Sequence, residues 1–232
     1  MSGLNELSVI VPLAPGENAW RTLLGDLTAL PASSEVILVA AAGTPAPDDL
    51  VALAAALTPI LVWCDAPRGR AAQQNAGAVA ARHPLLWFLH ADSRVGSQAL
   101  IELARARPRL AGRLGYFDLA FAADGPPLMW LNAIGAKIRS RALGLPFGDQ
   151  GLLLNRVDFE RLGRFDPGVG WGEDHDLVWR AHRAGLRLLR IPATVTTSAR
   201  KYAEQGWLRT TLRHLAGTWR QARTFSRTRV PK

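Results

Sequence analysis

Leu85-Leu86-Trp87-Phe88-Leu89-His90-Ala91-Asp92-Ser93 is an apolar run that ends abruptly in polar residues. As a strand of an open parallel sheet it would present His90 and Asp92 at the carboxyl edge, where ligands of such sheets bind. Outward from it, the first half of the chain alternates short β-branched runs with longer alanine-rich stretches, the pattern of βαβ units. Strands are predicted at 8–12, 35–40, 60–64 and 85–90, and helices at 17–30, 48–57, 70–81 and 96–107. Val9-Ile10-Val11 and Val36-Ile37-Leu38-Val39 are unbroken apolar runs, as strands covered on both faces require. Beyond Arg107 the rhythm changes to a strand at 114–121, a Gly125-Pro126-Pro127 break, a helix at 128–143, a strand at 151–155, a helix at 174–184 and a short last strand at 186–192. The fold class is therefore α/β, with a mostly parallel sheet flanked by helices.

The 232 residues suffice for one α/β domain, read as 1–199, with a basic tail at 200–232. The only cysteine, Cys64, lies in an apolar run and reads as a buried structural thiol, so no disulfide framework is expected. The N-terminus lacks a basic region followed by a long apolar one, so a cytoplasmic location is expected. No apolar stretch approaches the roughly 20 residues that span a bilayer.

Net charge is +9, but from Arg200 to Lys232 nine Lys or Arg face one acid, Glu204. The body is close to neutral. That distribution favours an anionic surface as partner over a nucleic-acid groove, and no nucleic acid is expected to bind. Within the tail, Leu208, Leu212, Leu215 and Trp219 recur at spacings of three and four, with arginines mostly on other faces. Two readings stay open: a helix docked by its Leu/Trp stripe, or attachment to anionic lipid headgroups, peripherally at the inner face of the membrane.

Several clusters carry chemistry. Asp92 after its strand suits a hard cation, Mg2+ or Mn2+, that bridges to a diphosphate, although a turn aspartate is common there. Arg68-Gly69-Arg70 opens a helix with two guanidiniums at its N-terminus, a place that favours phosphate, and Asn75 and Gly77 follow on that helix. Gly170-Trp171-Gly172-Glu173-Asp174-His175-Asp176 packs three carboxylates between a glycine-rich loop and a helix start. Such acids serve as dipole partners or, in a cleft, as a general base toward a hydroxyl. Phe147-Gly148-Asp149-Gln150-Gly151 brackets an Asp-Gln pair that a plain turn does not explain.

The ordered set resembles family 2 glycosyltransferases: the strand ending Val11-Pro12, Arg70 with Asn75 and Gly77, Leu89-His90-Ala91-Asp92, Phe147-Gly148-Asp149-Gln150-Gly151, Glu173-Asp174, and Thr197-Ser198-Ala199-Arg200. It is most similar to a compact subgroup with His-Ala-Asp and Gly-Asp-Gln-Gly elements, some members of which are assigned to arsenosugar biosynthesis. The resemblance spans about residues 7–215 and implies a GT-A, Rossmann-like fold and an inverting transfer from a nucleotide-sugar donor to an acceptor hydroxyl. It implies Asp174 as catalytic base with Glu173 assisting, Asp92 as metal ligand, and Pro12, Glu17, Arg70, Asn75, His90, Ala91, Asp149, Gln150, Trp171 and Arg200 toward donor and substrate. Glu17 is the shifted match for the family's usual acid after the first strand. Val39-Ala40-Ala41 lacks the acid that family members carry toward the nucleotide base. A donor-altered or inactive relative therefore stays open. A sugar-phosphate nucleotidylyltransferase would need a glycine-rich run that Leu13-Ala14-Pro15-Gly16-Glu17 does not provide.

Overall fold

The structure is a computed structural model that describes residues 4–225. Four strands, β1 (Leu7–Pro12), β2 (Glu35–Ala41), β3 (Ile60–Ala66) and β4 (Leu85–Phe88), alternate with helices α1 (Trp20–Leu27), α2 (Leu50–Ala56) and α3 (Arg70–Ala80). They pair in parallel in the order β3-β2-β1-β4. The chain thus steps outward from β1 to β3 and then crosses back to the far side of β1. This reversal opens a crevice beyond the carboxyl ends of β1 and β4.

A second half widens the sheet. After the short strand β5 (Arg94–Val95) and α4 (Ser97–Ala106) come β6 (Arg113–Phe121), α5 (Met129–Ala142), β7 (Leu152–Asn155), α6 (Arg156–Arg161), α7 (Glu173–Arg183) and β8 (Arg187–Thr197). The described residues form an eight-stranded mixed sheet, β3-β2-β1-β4-β7-β6-β8-β5, in which β7 runs antiparallel to both β4 and β6. One apolar layer packs α1 and α4 against one face, and the other packs α3, α6 and α7 against the opposite face. The expected α/β architecture, a sheet flanked by helices, is the observed one.

Three local differences from the sequence reading have physical causes. The last strand runs to Thr197, well past 192, because Thr194–Thr197 is an unbroken β-branched run and Pro192 is absorbed at an irregularity: Ile191 pairs with Phe117, and Thr194 with Asp118. Strand β4 stops at Phe88, since after the Leu89 N–H bonds to Ile10 O (3.0 Å) the chain turns, with Ser93 N–H donating to His90 O at 3.1 Å. Cys64 is only half-buried, because β3 is an edge strand and its outer side has no covering helix residue buried in α2.

Helix α3 lies unusually close to the sheet. A Cβ at Gly77 would come 2.5 Å from Ile10 Cγ2 and 2.9 Å from Val39 Cγ2, so only glycine permits this approach. The chain ends in α8 (Arg200–Gln205) and α9 (Trp207–Phe225). The expectation that α9 docks by its Leu/Trp stripe is overturned: Leu208, Leu212, Leu215 and Trp219 are 49–61% exposed. Its small and polar face docks instead. Gly217 sits under the Trp171 indole, where a Cβ would clash at 2.5 Å, and Gln221 donates to Trp171 O (2.8 Å) while its Oε1 meets His175 Nδ1 (3.0 Å).

Candidate active site

A cavity of about 1010 Å³ occupies the crevice at the carboxyl edge of β1 and β4 and extends between α5 and α9. Glu17, Arg70, His90, Asp92, Asp149, Trp171, Asp174 and Arg200 all line it. Each arrives on a different support. Glu17 follows β1, with its Oε1 accepting from Ala19 N (2.7 Å), and His90 and Asp92 occupy the turn after β4. Arg70 opens α3, Arg200 opens α8, and Asp174 stands in the first turn of α7. Asp149 lies in the 3-10 turn Gly148–Gln150.

The inner end of the cavity is a charge network. Arg70 forks onto Glu173 through Nε and Nη2, and its Nη1 lies 3.4 Å from His90 Nε2. Glu173 is buried, so its role in the structure is to hold the Arg70 guanidinium in place. Asp174 Oδ2 accepts from Gly148 N at 2.6 Å. A side chain at Gly148 is excluded, since a Cβ there would lie 2.9 Å from that oxygen and 3.0 Å from His90 Nε2.

These surroundings set the protonation states. Burial raises the Asp174 carboxyl, but the Arg70 charge and the N–H groups of Gly148 and His175 more than offset it and hold it below the ordinary carboxylate range. Burial and the adjacent Arg70 lower His90, so its imidazole is neutral and its Nε2 accepts from Arg70. Asp149 is driven the opposite way, to about 6, chiefly by burial and further by Asp174 and Asp92, against the pull of Arg139 and Arg70. Burial also raises Asp92, helped by Glu17 and opposed by the Thr197 hydroxyl and Arg200.

Five sequence-predicted residues do not line the cavity, Glu173 behind Arg70 being the first. Pro12 is buried at the end of β1, and Ala91 is buried in the turn between His90 and Asp92. Asn75 spans to the loop after α6 in both directions, its Nδ2 donating to Phe165 O (2.8 Å) and its Oδ1 accepting from Phe165 N (3.0 Å). Gln150 is buried, accepting from Phe147 N and Arg139 Nη2 and donating to Phe117 O at 2.8 Å. These two amides brace the site from behind.

Conversely, Arg139, Lys201, Tyr202 and Trp207 line the cavity without having been singled out from the sequence. Arg139 stacks on Phe147 with its Cζ 3.2 Å from the ring centroid, between Gln150 and the Asp149 carboxyl. No local motif marks it, because it is one of two arginines on α5, beside Lys137. The acid missing from the end of β2 has a neighbour one strand over: Asp65 on β3 is in register with Ala40 and is exposed.

Among the described residues no cluster of three or more His, Cys, Asp or Glu is placed to hold a metal ion. The donor set still fits a hard cation carried partly by a substrate. Asp92 adds to the rise of the Asp149 carboxyl, and Asp149 Oδ1 is buried with no hydrogen-bond partner. Carboxylates so placed suit an ion that completes its shell with water and phosphate oxygens.

No protein-family model and no curated protein sequence matches the chain. Solved structures do. A mannosyltransferase from Pyrobaculum calidifontis, PcManGT, in complex with GDP-Man and Mn2+, superposes over 97% of this chain and 66% of its own length, with a TM-score of 0.68 and 21% identity. S. aureus TarS 1-349 in complex with UDP-GlcNAc covers 83% of this chain at a TM-score of 0.59 and 16% identity, this chain spanning 58% of it. The chain thus spans less than two thirds of these relatives, and the likeness at such identities is one of fold.

Proposed function

We propose that this protein transfers a sugar from a nucleoside-diphosphate sugar to an acceptor hydroxyl, with inversion at the anomeric carbon. One observation carries the reading: Arg70, His90, Asp92, Asp149, Asp174 and Arg200, dispersed from residue 70 to residue 200, line a single cavity at the sheet's switch point. Support comes from the fold shared with proteins solved with GDP-Man and with UDP-GlcNAc.

In this reading the acceptor oxygen attacks the anomeric carbon from the face opposite the pyrophosphate, the bond to the pyrophosphate oxygen breaks, and the acceptor proton passes to Asp174. Attack from the opposite face inverts the configuration. Arg70 keeps Asp174 ionised, so the base is ready across the physiological range, and proton transfer of this kind contributes about 10²–10⁴-fold. Arg200, exposed at the cavity's edge beside Lys201, is placed to meet phosphate oxygens. Asp92, with Asp149 beside it, would hold Mg2+ or Mn2+, which when bound supplies charge neutralisation for a departing diphosphate.

A second assignment of the base follows from Asp149. Asp149 lines the same cavity, its buried Oδ1 has no hydrogen-bond partner, and its carboxyl is raised to about 6, closer to an operating pH than Asp174. The test of the overall function is a thermal-shift screen of GDP, UDP and their sugars with and without Mn2+. A nucleotide-selective rise that needs the metal and is lost in Asp92→Ala is expected; no rise with any nucleotide overturns the reading.

A further inference from the structure

Helices α5 and α9 flank the cavity and are tied together at Asn132, whose Nδ2 donates to Thr211 Oγ1 (3.1 Å) and whose Oδ1 accepts from Trp207 Nε1 (2.7 Å). Both turn apolar residues outward. Trp130 and Ile138 on α5 and Leu212, Leu215 and Trp219 on α9 are 49–61% exposed, an unusual concentration for two neighbouring helices of one small protein. The cavity opens between them. Leu131, Ile138, Leu143 and Leu215 line it while remaining 40–66% exposed, so its mouth has an apolar rim.

The same two helices contain no acid. Lys137, Arg139 and Arg141 lie on α5, and Arg209, Arg213, Arg220 and Arg223 on α9. Arg139 faces the site and Arg141 pairs with Asp118, while Arg223 stacks on the exposed Trp219 ring with its Cζ 3.8 Å from the centroid and Arg213 donates to Gln205 beside the same helix. A second copy of the chain would bring an equally cationic face, and like charges oppose that pairing. The last seven residues, Ser226 to Lys232, offer Val230 and Pro231 against three cations and cannot match so large an apolar area. An apolar face with cationic surroundings and no acid complements an anionic bilayer, where rings and aliphatic chains enter the headgroup boundary and arginines meet phosphates.

We propose that the paired outer faces of α5 and α9 seat on an anionic bilayer, which sets the mouth of the cavity at the lipid headgroups. Neither helix is long and apolar enough to cross that bilayer, so the attachment is interfacial. The proposal stands on this surface alone and does not require the sugar-transfer reading.

The test is co-sedimentation of the full chain with vesicles of phosphatidylglycerol in phosphatidylcholine and with vesicles of phosphatidylcholine alone. Binding to the anionic vesicles is expected, with quenching of tryptophan fluorescence by lipids brominated on their acyl chains. The double variant Leu212→Glu/Trp219→Glu, and separately Trp130→Glu, should lose about tenfold or more of that binding. Both retain the far-ultraviolet circular dichroism and the cooperative thermal unfolding of the parent, which report that they are folded. Wild-type protein left in the supernatant, equal binding to neutral vesicles, variants that bind like the parent, or a dimer that these substitutions dissociate would each overturn the proposal. Absence of any nucleotide shift in the parent would instead strike only the sugar-transfer reading.

Discussion

Asp174 and Asp149 lie in one cavity, yet their surroundings drive them apart: Arg70 and a backbone N–H hold the first ionised, and burial raises the second to about 6. This separation gives a direct way to tell which one accepts the proton. If Asp174 is the base, Asp174→Asn removes turnover with nucleotide binding nearly intact, and kcat stays level as pH falls through 6. If Asp149 is the base, kcat declines below about pH 6 and Asp149→Asn is the inactive variant. Stability supplies an independent readout. A buried acid whose folded pKa lies above its unfolded value stabilises the fold at low pH and loses that contribution as pH rises through the folded value. Asp149 should therefore make the protein less stable between about pH 4 and 6, and Asp149→Asn should flatten that slope and raise stability at pH 7 by on the order of 1–3 kcal/mol, as measured by denaturant unfolding across pH.

Helix α3 serves the site by being close to the sheet and tied to the loop behind it. Gly77→Ala forces Ile10 and Val39 aside and should cost about 1–3 kcal/mol, seen as a lower urea midpoint. Asn75 satisfies both backbone groups of Phe165, so Asn75→Ala leaves them unpaired and should cost about 1–3 kcal/mol. Nucleotide affinity in the folded Asn75→Ala protein should be near that of the parent; a loss of affinity beyond the loss of stability would return Asn75 to the donor side. Gln150 is a comparable case within the turn before β7, where its amide joins α5 to β6 through Arg139 and Phe117. Both amides looked like ligand contacts in the motif because an amide able to bind a nucleotide is equally able to bind a loop.

For the whole molecule, α9 is a wall of the cavity as well as a basic appendage. Gln221 and Gly217 fasten it to the Trp171 loop, which immediately precedes Glu173 and Asp174. Deleting residues after Gly217 should therefore lower association with anionic liposomes and also weaken nucleotide binding by loosening that loop. Gln221→Ala, which keeps every arginine, should reproduce the second effect and spare the first. Isothermal titration with nucleotide and vesicle sedimentation separate the two, and a truncated chain with parental values in both would show that α9 is not part of the site.

Local pattern alone determined the parallel β1–β4 core and the amphipathic character of α9, since unbroken apolar runs and three-four spacing reflect burial and periodicity that neighbours in sequence already impose. It also set His90 and Asp92 at a strand's carboxyl end. Only the tertiary structure decided that Asp92, Asp149, Asp174 and Arg200 share a cavity, that Arg139 joins them while Asn75 and Gln150 stand behind, and that α9 turns its leucines outward. Those outcomes depend on which surfaces meet across distant segments. A leucine stripe signals that an apolar face exists, and the small residues opposite it, Gly217 above all, determined which face could approach the body.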